Sequence, residues 1–77
     1  MAFSGTVKWF DDEKGYGFIK RDDNEEDVFV HITSVLESGL ESFEKGQRVK
    51  FYITEGRKGD EAVMLSFLDE ESKDEKT

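Results

Sequence analysis

The chain has 77 residues, 35% of them hydrophobic and 39% charged, with no cysteine, no proline and a formal net charge of −8. That length bounds it to one domain near the small end of what folds unaided. The missing cysteines exclude disulfides and thiolate zinc sites and suit a reducing compartment. No apolar run approaches the ~18 residues of a membrane helix. Met1-Ala2-Phe3-Ser4-Gly5 shows no basic region leading into an apolar stretch, so the expectation is a soluble cytoplasmic protein with no membrane partner.

In chain order, Gly5–Phe10 is rich in β-branched and aromatic residues and stops at the charged turn Asp11-Asp12-Glu13, which predicts a first strand. Tyr16–Lys20 reads as a second strand, and the polar run Arg21–Asp27 as a hairpin loop. Val28–Ile32 gives five consecutive residues of high β propensity, a third strand. Thr33–Leu40 is irregular, with one helical turn expected at Ser34–Glu37 and a break at Gly39. In Arg48–Thr54, Val49, Phe51 and Ile53 alternate with Arg48, Lys50 and Tyr52, the signature of a half-buried strand. Gly56–Asp60 is a turn and Ala62–Leu68 a fifth strand, while the heavily charged Asp69–Thr77 reads as a disordered acidic tail. The expected domains are therefore a folded unit over 1–68 and a tail over 69–77. Five short strands without a long helix indicate an all-β, five-stranded antiparallel barrel, closed because so small a sheet would otherwise leave long unpaired edges. An SH3-like barrel is the alternative that composition leaves open.

Aromatics make up 13% of a chain with little hydrophobic material, so some rings are expected on the surface, where they signal binding. The acidity is segregated. Residues 22–44 carry eight acids and no Lys or Arg, residues 1–21 have four basic against three acidic side chains, and residues 45–68 have five against three. A polyanionic partner therefore remains compatible with the overall charge.

Strand alternation puts Tyr16 and Phe18 on one face, with Ile19 behind them. Phe29 and His31 share a face opposite Val28, Val30 and Ile32, and the aliphatic face is the natural core. If 21–27 is the hairpin loop, facing residues have indices summing to about 47, which places Phe18 by Phe29 and Tyr16 by His31 at cross-strand spacing. Four rings then form one platform. Gly15 and Gly17 are read as leaving its surface unscreened, and Lys14 and Lys20 as bracketing it with positive charge. Such a platform stacks unpaired bases whatever their identity, while rim cations neutralise phosphate. Duplexes hide their base faces, so the expected partner is single-stranded RNA or DNA, bound with low sequence specificity.

Lys14-Gly15-Tyr16-Gly17-Phe18-Ile19 matches the RNP1 pattern, and Val28-Phe29-Val30-His31-Ile32 is similar to the accompanying RNP2 segment. With Gly5-Thr6-Val7-Lys8-Trp9-Phe10, Gly46-Gln47 and Glu55-Gly56-Arg57-Lys58-Gly59 in the same order, residues 3–68 strongly resemble the bacterial cold-shock protein family. The resemblance implies an OB-type barrel that binds single-stranded RNA and DNA, acting as an RNA chaperone and as a regulator of transcription or translation, with cold adaptation as the expected setting. It implies a monomer, with no cofactor, metal or small-molecule substrate. It maps the binding surface onto Lys8, Trp9, Tyr16, Phe18, Phe29 and His31, with Arg57 at the rim, and Lys14 and Lys58 complete the set of residues expected to bind nucleic acid. Strict alternation would put Lys8 and Trp9 on opposite faces, whereas the family exposes both, so a twist or bulge is expected in the first strand. This chain departs from the family pattern in several places. Asp11 stands where Asn is usual, and Ile32 and Leu40 where aromatics are common. Gly59-Asp60-Glu61-Ala62 replaces Gly-Pro-Gln-Ala, and the loop 22–27 is unusually acidic. These changes are expected to weaken binding without removing the platform.

Each residue also has a plainer reading. Phe51 and Phe67 are expected in the core, while Phe43 and Tyr52 are undecided. The acids at 22–27 form a solvated loop, since they lack an EF-hand pattern, and a single histidine cannot build a His-based metal cluster. The tail could compete with nucleic acid for the basic rim. Gly15-x-Gly17 is neither a P-loop nor a dinucleotide fingerprint. Of the competing functions, a peptide-binding barrel is physically reasonable because aromatic-lined grooves also take extended peptides. An enzyme is the weakest, because no nucleophile–base arrangement is present.

Overall fold

The computed structural model describes residues 2–56 and 59–68. Five strands and one short helix follow one another as β1 (Phe3–Asp11), β2 (Tyr16–Arg21), β3 (Asp27–His31), α1 (Ile32–Glu37), β4 (Arg48–Gly56) and β5 (Gly59–Phe67). They close into a barrel in the order β1-β2-β3-β5-β4. The β1–β2, β2–β3, β1–β4 and β4–β5 pairings are antiparallel, and the closing β3–β5 contact, Phe29 opposite Glu61, is parallel. Strand directions cannot alternate all the way round a ring of odd number, so one parallel seam is unavoidable.

The buried side chains are Val7, Ile19, Val28, Val30, Val35, Phe43, Val49, Phe51, Ala62 and Leu65, with Phe3, Phe10, Leu40 and Ile53 packed against them. Every strand contributes, and Val28 with Val30 and Val49 with Phe51 show the inward period of two. Phe51 is the largest side chain wholly withdrawn from water. Phe43, undecided from sequence, lies in the core edge-on to Phe10 at 5.2 Å, while Tyr52 is exposed.

Two expectations about the core are corrected. Ile32 is not the last residue of β3 but the first of α1, and it is only half-buried. The chain turns at His31, whose ring nitrogen accepts the Thr33 N–H and caps the helix, so a local hydrogen bond overrides β propensity. Phe67 is 40% exposed rather than buried. It faces Val49 in the last described pair of β4–β5, so its ring sits where the strand ends. Upstream, Met64 has φ 54 and the β4–β5 register slips between Lys50 and Tyr52. One extra residue in β5 lets Ala62 and Leu65, three apart, both point inward. Ser38 links helix to barrel: its Oγ donates to the Ser34 carbonyl and accepts the Leu65 N–H at 2.8 Å.

Candidate functional site

The site is built on β1, β2 and β3. The β1–β2 turn is held by Asp11, whose Oδ1 accepts the N–H groups of Glu13 (2.9 Å) and Lys14 (3.0 Å), while its carbonyl accepts the Gly15 N–H (2.7 Å). An aspartate oxygen thus makes the two turn bonds that asparagine could make. Gly15 closes the turn at φ +79, a region side-chain-bearing residues rarely adopt. Gly17 is buried, and a Cβ there would collide with the Trp9 carbonyl oxygen and lie 2.7 Å from Phe10 Cα. Both glycines are buried, Gly15 serving the turn and Gly17 the close approach of β1 to β2, so neither acts by unscreening the rings.

The β2–β3 register sets Tyr16 opposite His31 and Phe18 opposite Phe29, as the hairpin arithmetic requires. In β1 the register shifts between Val7 and Trp9. This bulge at Lys8 turns both Lys8 and Trp9 out to solvent, and brings Trp9 level with Phe18. Five rings then adjoin. Trp9 lies 5.5 Å from Tyr16 and 5.4 Å from Phe18. Tyr16 stacks on Phe29 at 5.8 Å with 26° between planes, and Phe18 meets Phe29 edge-on at 5.8 Å. His31 adjoins Phe29 at 6.3 Å. Trp9 is 38% exposed and the other four are half-buried, so the rings support one another and keep faces open to a ligand.

The charges around this surface are arranged less simply than the sequence suggests. Lys14 and Lys20 are exposed. Lys8 Nζ sits 2.9 Å from Asp27 Oδ2. Arg21 pairs with Asp23 at 2.7 Å and lies over the Phe3 ring, 4.6 Å from its centroid. Arg48 donates through both terminal nitrogens to Asp22 at 2.9 Å, and Asp22 also accepts the Ser4 hydroxyl. Arg48 and then Ser4 hold the Asp22 carboxyl below its ordinary value of 3.8. Arg21 does the same for Asp23. The acidic loop is therefore tied to cations of β1, β2 and β4, which the reading of it as a solvated segment missed. The sequence carried one hint, since the hairpin arithmetic brings Asp27 alongside Lys20 at the edge of the platform.

Of the expected site residues, Trp9, Tyr16, Phe18, Phe29 and His31 come together, with Lys8 and Lys14 at the margin. Arg57, Lys58 and the tail 69–77 lie outside the described residues. Ile32 and Leu40 line a groove beside Phe10, Val35 and Phe43. Among the described residues no cluster of His, Asp and Glu is arranged to hold a metal, and no helix is long and apolar enough to cross a membrane.

A closed five-stranded barrel with a ring-covered outer face and lysines beside it defines a small nucleic-acid-binding barrel of the OB type. The model of the 'Cold-shock' DNA-binding domain matches residues 3–67, and the chain belongs to that family. It is 49% identical over 70 residues to a cold shock-like protein of Aquifex aeolicus, covering 91% of this chain and all of that one. It is 48% identical over 64 residues to the cold shock-like protein CspE of Escherichia coli K12, covering 83% and 93%. The fold is also that of "drosophila Unr CSD456", with a TM-score of 0.72 at 20% identity. That match covers 88% of this chain and 27% of the Unr chain. Nucleic-acid binding is the function that family and surface share.

Proposed function

We propose that the protein binds unpaired RNA and DNA strands with low sequence specificity, stacking successive bases on Trp9, Tyr16, Phe18, Phe29 and His31. Lys8, Lys14, Arg57 and Lys58 take the phosphates. The observation that carries this reading is the continuity of the five rings, each within 6.3 Å of a neighbour, on a face where aromatics have no core to fill. Stacking is worth ~1–3 kcal/mol per base and tolerates any base, because each offers a π face. A binder of this kind traps strands in the unpaired state and so acts as an RNA chaperone, and through that as a regulator of transcription or translation. In this reading the folded unit is 1–68, residues 69–77 are an acidic extension, the protein works as a cytoplasmic monomer, and it has no catalytic role.

Competition between forms of one oligonucleotide tests the reading. A single strand of about eight nucleotides should bind at least tenfold more tightly than its duplex. Equal affinity for both, or capture of an uncharged peptide with no effect of salt, would contradict it.

A further inference from the structure

His31 does more than supply a ring, because one of its nitrogens is already committed. Nδ1 accepts the backbone N–H of Thr33 at 3.1 Å, capping α1, and the Thr33 hydroxyl Oγ1 lies 3.0 Å from the same nitrogen. A nitrogen that accepts a hydrogen bond carries a lone pair, so the neutral imidazole must bear its proton on Nε2. Among the described residues Nε2 has no protein acceptor, while the ring adjoins Phe29 at 6.3 Å with 46° between planes. No described residue therefore occupies this donor, which leaves it open to a ligand.

We infer that Thr33 is a positioning residue for binding: its backbone N–H fixes the tautomer of His31 and its hydroxyl helps hold the ring's rotation, so that Nε2–H is a preset donor at the edge of the platform. The ligand group it takes is an acceptor oxygen, either a base carbonyl or a phosphate oxygen. Because the imidazole is inclined at 46° to the Phe29 ring, its plane crosses that of a base stacked on Phe29, so its N–H is not confined to a parallel, stacked approach. It can then meet the edge of such a base rather than its face. This adds one polar contact to a surface otherwise built for stacking, and it rests on the stacking reading above.

Two measurements test it. Long-range 1H–15N correlation on the free protein should show His31 in the Nε2–H form, and the same form should persist in Thr33→Ser. An Nδ1–H tautomer in the free protein would overturn the inference whatever the protein binds. His31→Phe, which keeps a ring, should then bind oligothymidylate about three- to tenfold more weakly than the parent, the range of one neutral hydrogen bond. Thr33→Val should lose part of that affinity and Thr33→Ser should restore it.

Two modified strands locate the acceptor. The His31→Phe penalty should vanish on a strand of thymine isosteres lacking carbonyl oxygens if the acceptor is on a base, and on one of the two stereodefined methylphosphonate backbones, which each lack a different non-bridging oxygen, if it is on a phosphate. A penalty unchanged on both strands, or none on any, would leave His31 as a stacking ring only and overturn the inference while the parent still binds. A Thr33→Val variant that melts earlier but binds like the parent would overturn the positioning role. Failure of the parent to bind any single strand would instead contradict the stacking reading itself.

Discussion

Lys8 illustrates how one residue serves two partners. Its ammonium lies against Asp27 with side chains 52% and 37% exposed, a pair worth little on its own because both ions keep much of their water. A phosphate can replace Asp27 there at small cost. Lys8→Gln should weaken binding at low salt and flatten the plot of log affinity against log salt by about 0.7, the slope for one phosphate contact on a single strand. A slope equal to the parent's would remove Lys8 from the interface. Asp22 is the opposite case, an acid engaged wholly in structure. Its carboxyl is held low by Arg48 and Ser4, so its contribution is complete above its unfolded value and is lost as pH falls through the lower folded value. Between pH 6 and pH 3, Asp22→Asn should lose less melting temperature than the parent, because the variant has no such contribution to lose. An equal or steeper loss in the variant would contradict this.

At the scale of elements, the hairpin was legible from residue types alone. Period two in Tyr16–Lys20 and Val28–Val30, joined by a polar loop, sets which rings face each other, and the register agrees pair by pair. The β1 bulge was not legible from pattern. Alternation separates Lys8 from Trp9, and only the family resemblance pointed to their shared exposure. What the sequence does carry is the cause of close approach, Gly17, whose missing Cβ makes room for the Trp9 carbonyl and Phe10. Gly17→Ala would force β1 from β2 by backbone contact, which no rotamer change relieves. It should cost about 1–3 kcal/mol or more and shift Trp9 emission, measured by denaturant melting and fluorescence. Unchanged stability would show that the strands have slack. The end of β3 and the acidic loop were misread for related reasons. Propensity scores Ile32 as strand, but the His31 cap starts a helix there, and long-range ion pairs such as Arg48–Asp22 leave no trace in local composition.

The whole molecule balances a small core against a large charge. Ten buried hydrophobic side chains hold the described barrel together, and small domains sit near the lower end of the usual ~5–15 kcal/mol. Phe51→Ala should therefore remove about 3–5 kcal/mol and leave the chain largely unfolded at 25 °C by circular dichroism. A variant still cooperatively folded with a similar midpoint would mean that the core is carried elsewhere.

A net charge of −8 would repel a polyanion at long range, so attraction must come from stacking and from a few local cations, and the central claim is that the rings supply it. Trp9 reports this directly, since it lies 5.4 Å from Phe18 within the same surface. A titration with an unstructured pyrimidine-rich oligonucleotide, followed by Trp9 fluorescence at two salt concentrations, would compare the parent with a Phe18→Ala, Phe29→Ala double variant. The platform predicts quenching that weakens with salt and a loss of about thirtyfold or more in affinity in the variant, two stacked bases at ~1–3 kcal/mol each. No quenching at low salt, with variant and parent indistinguishable, would mean that this barrel keeps its ring-covered face for some other partner.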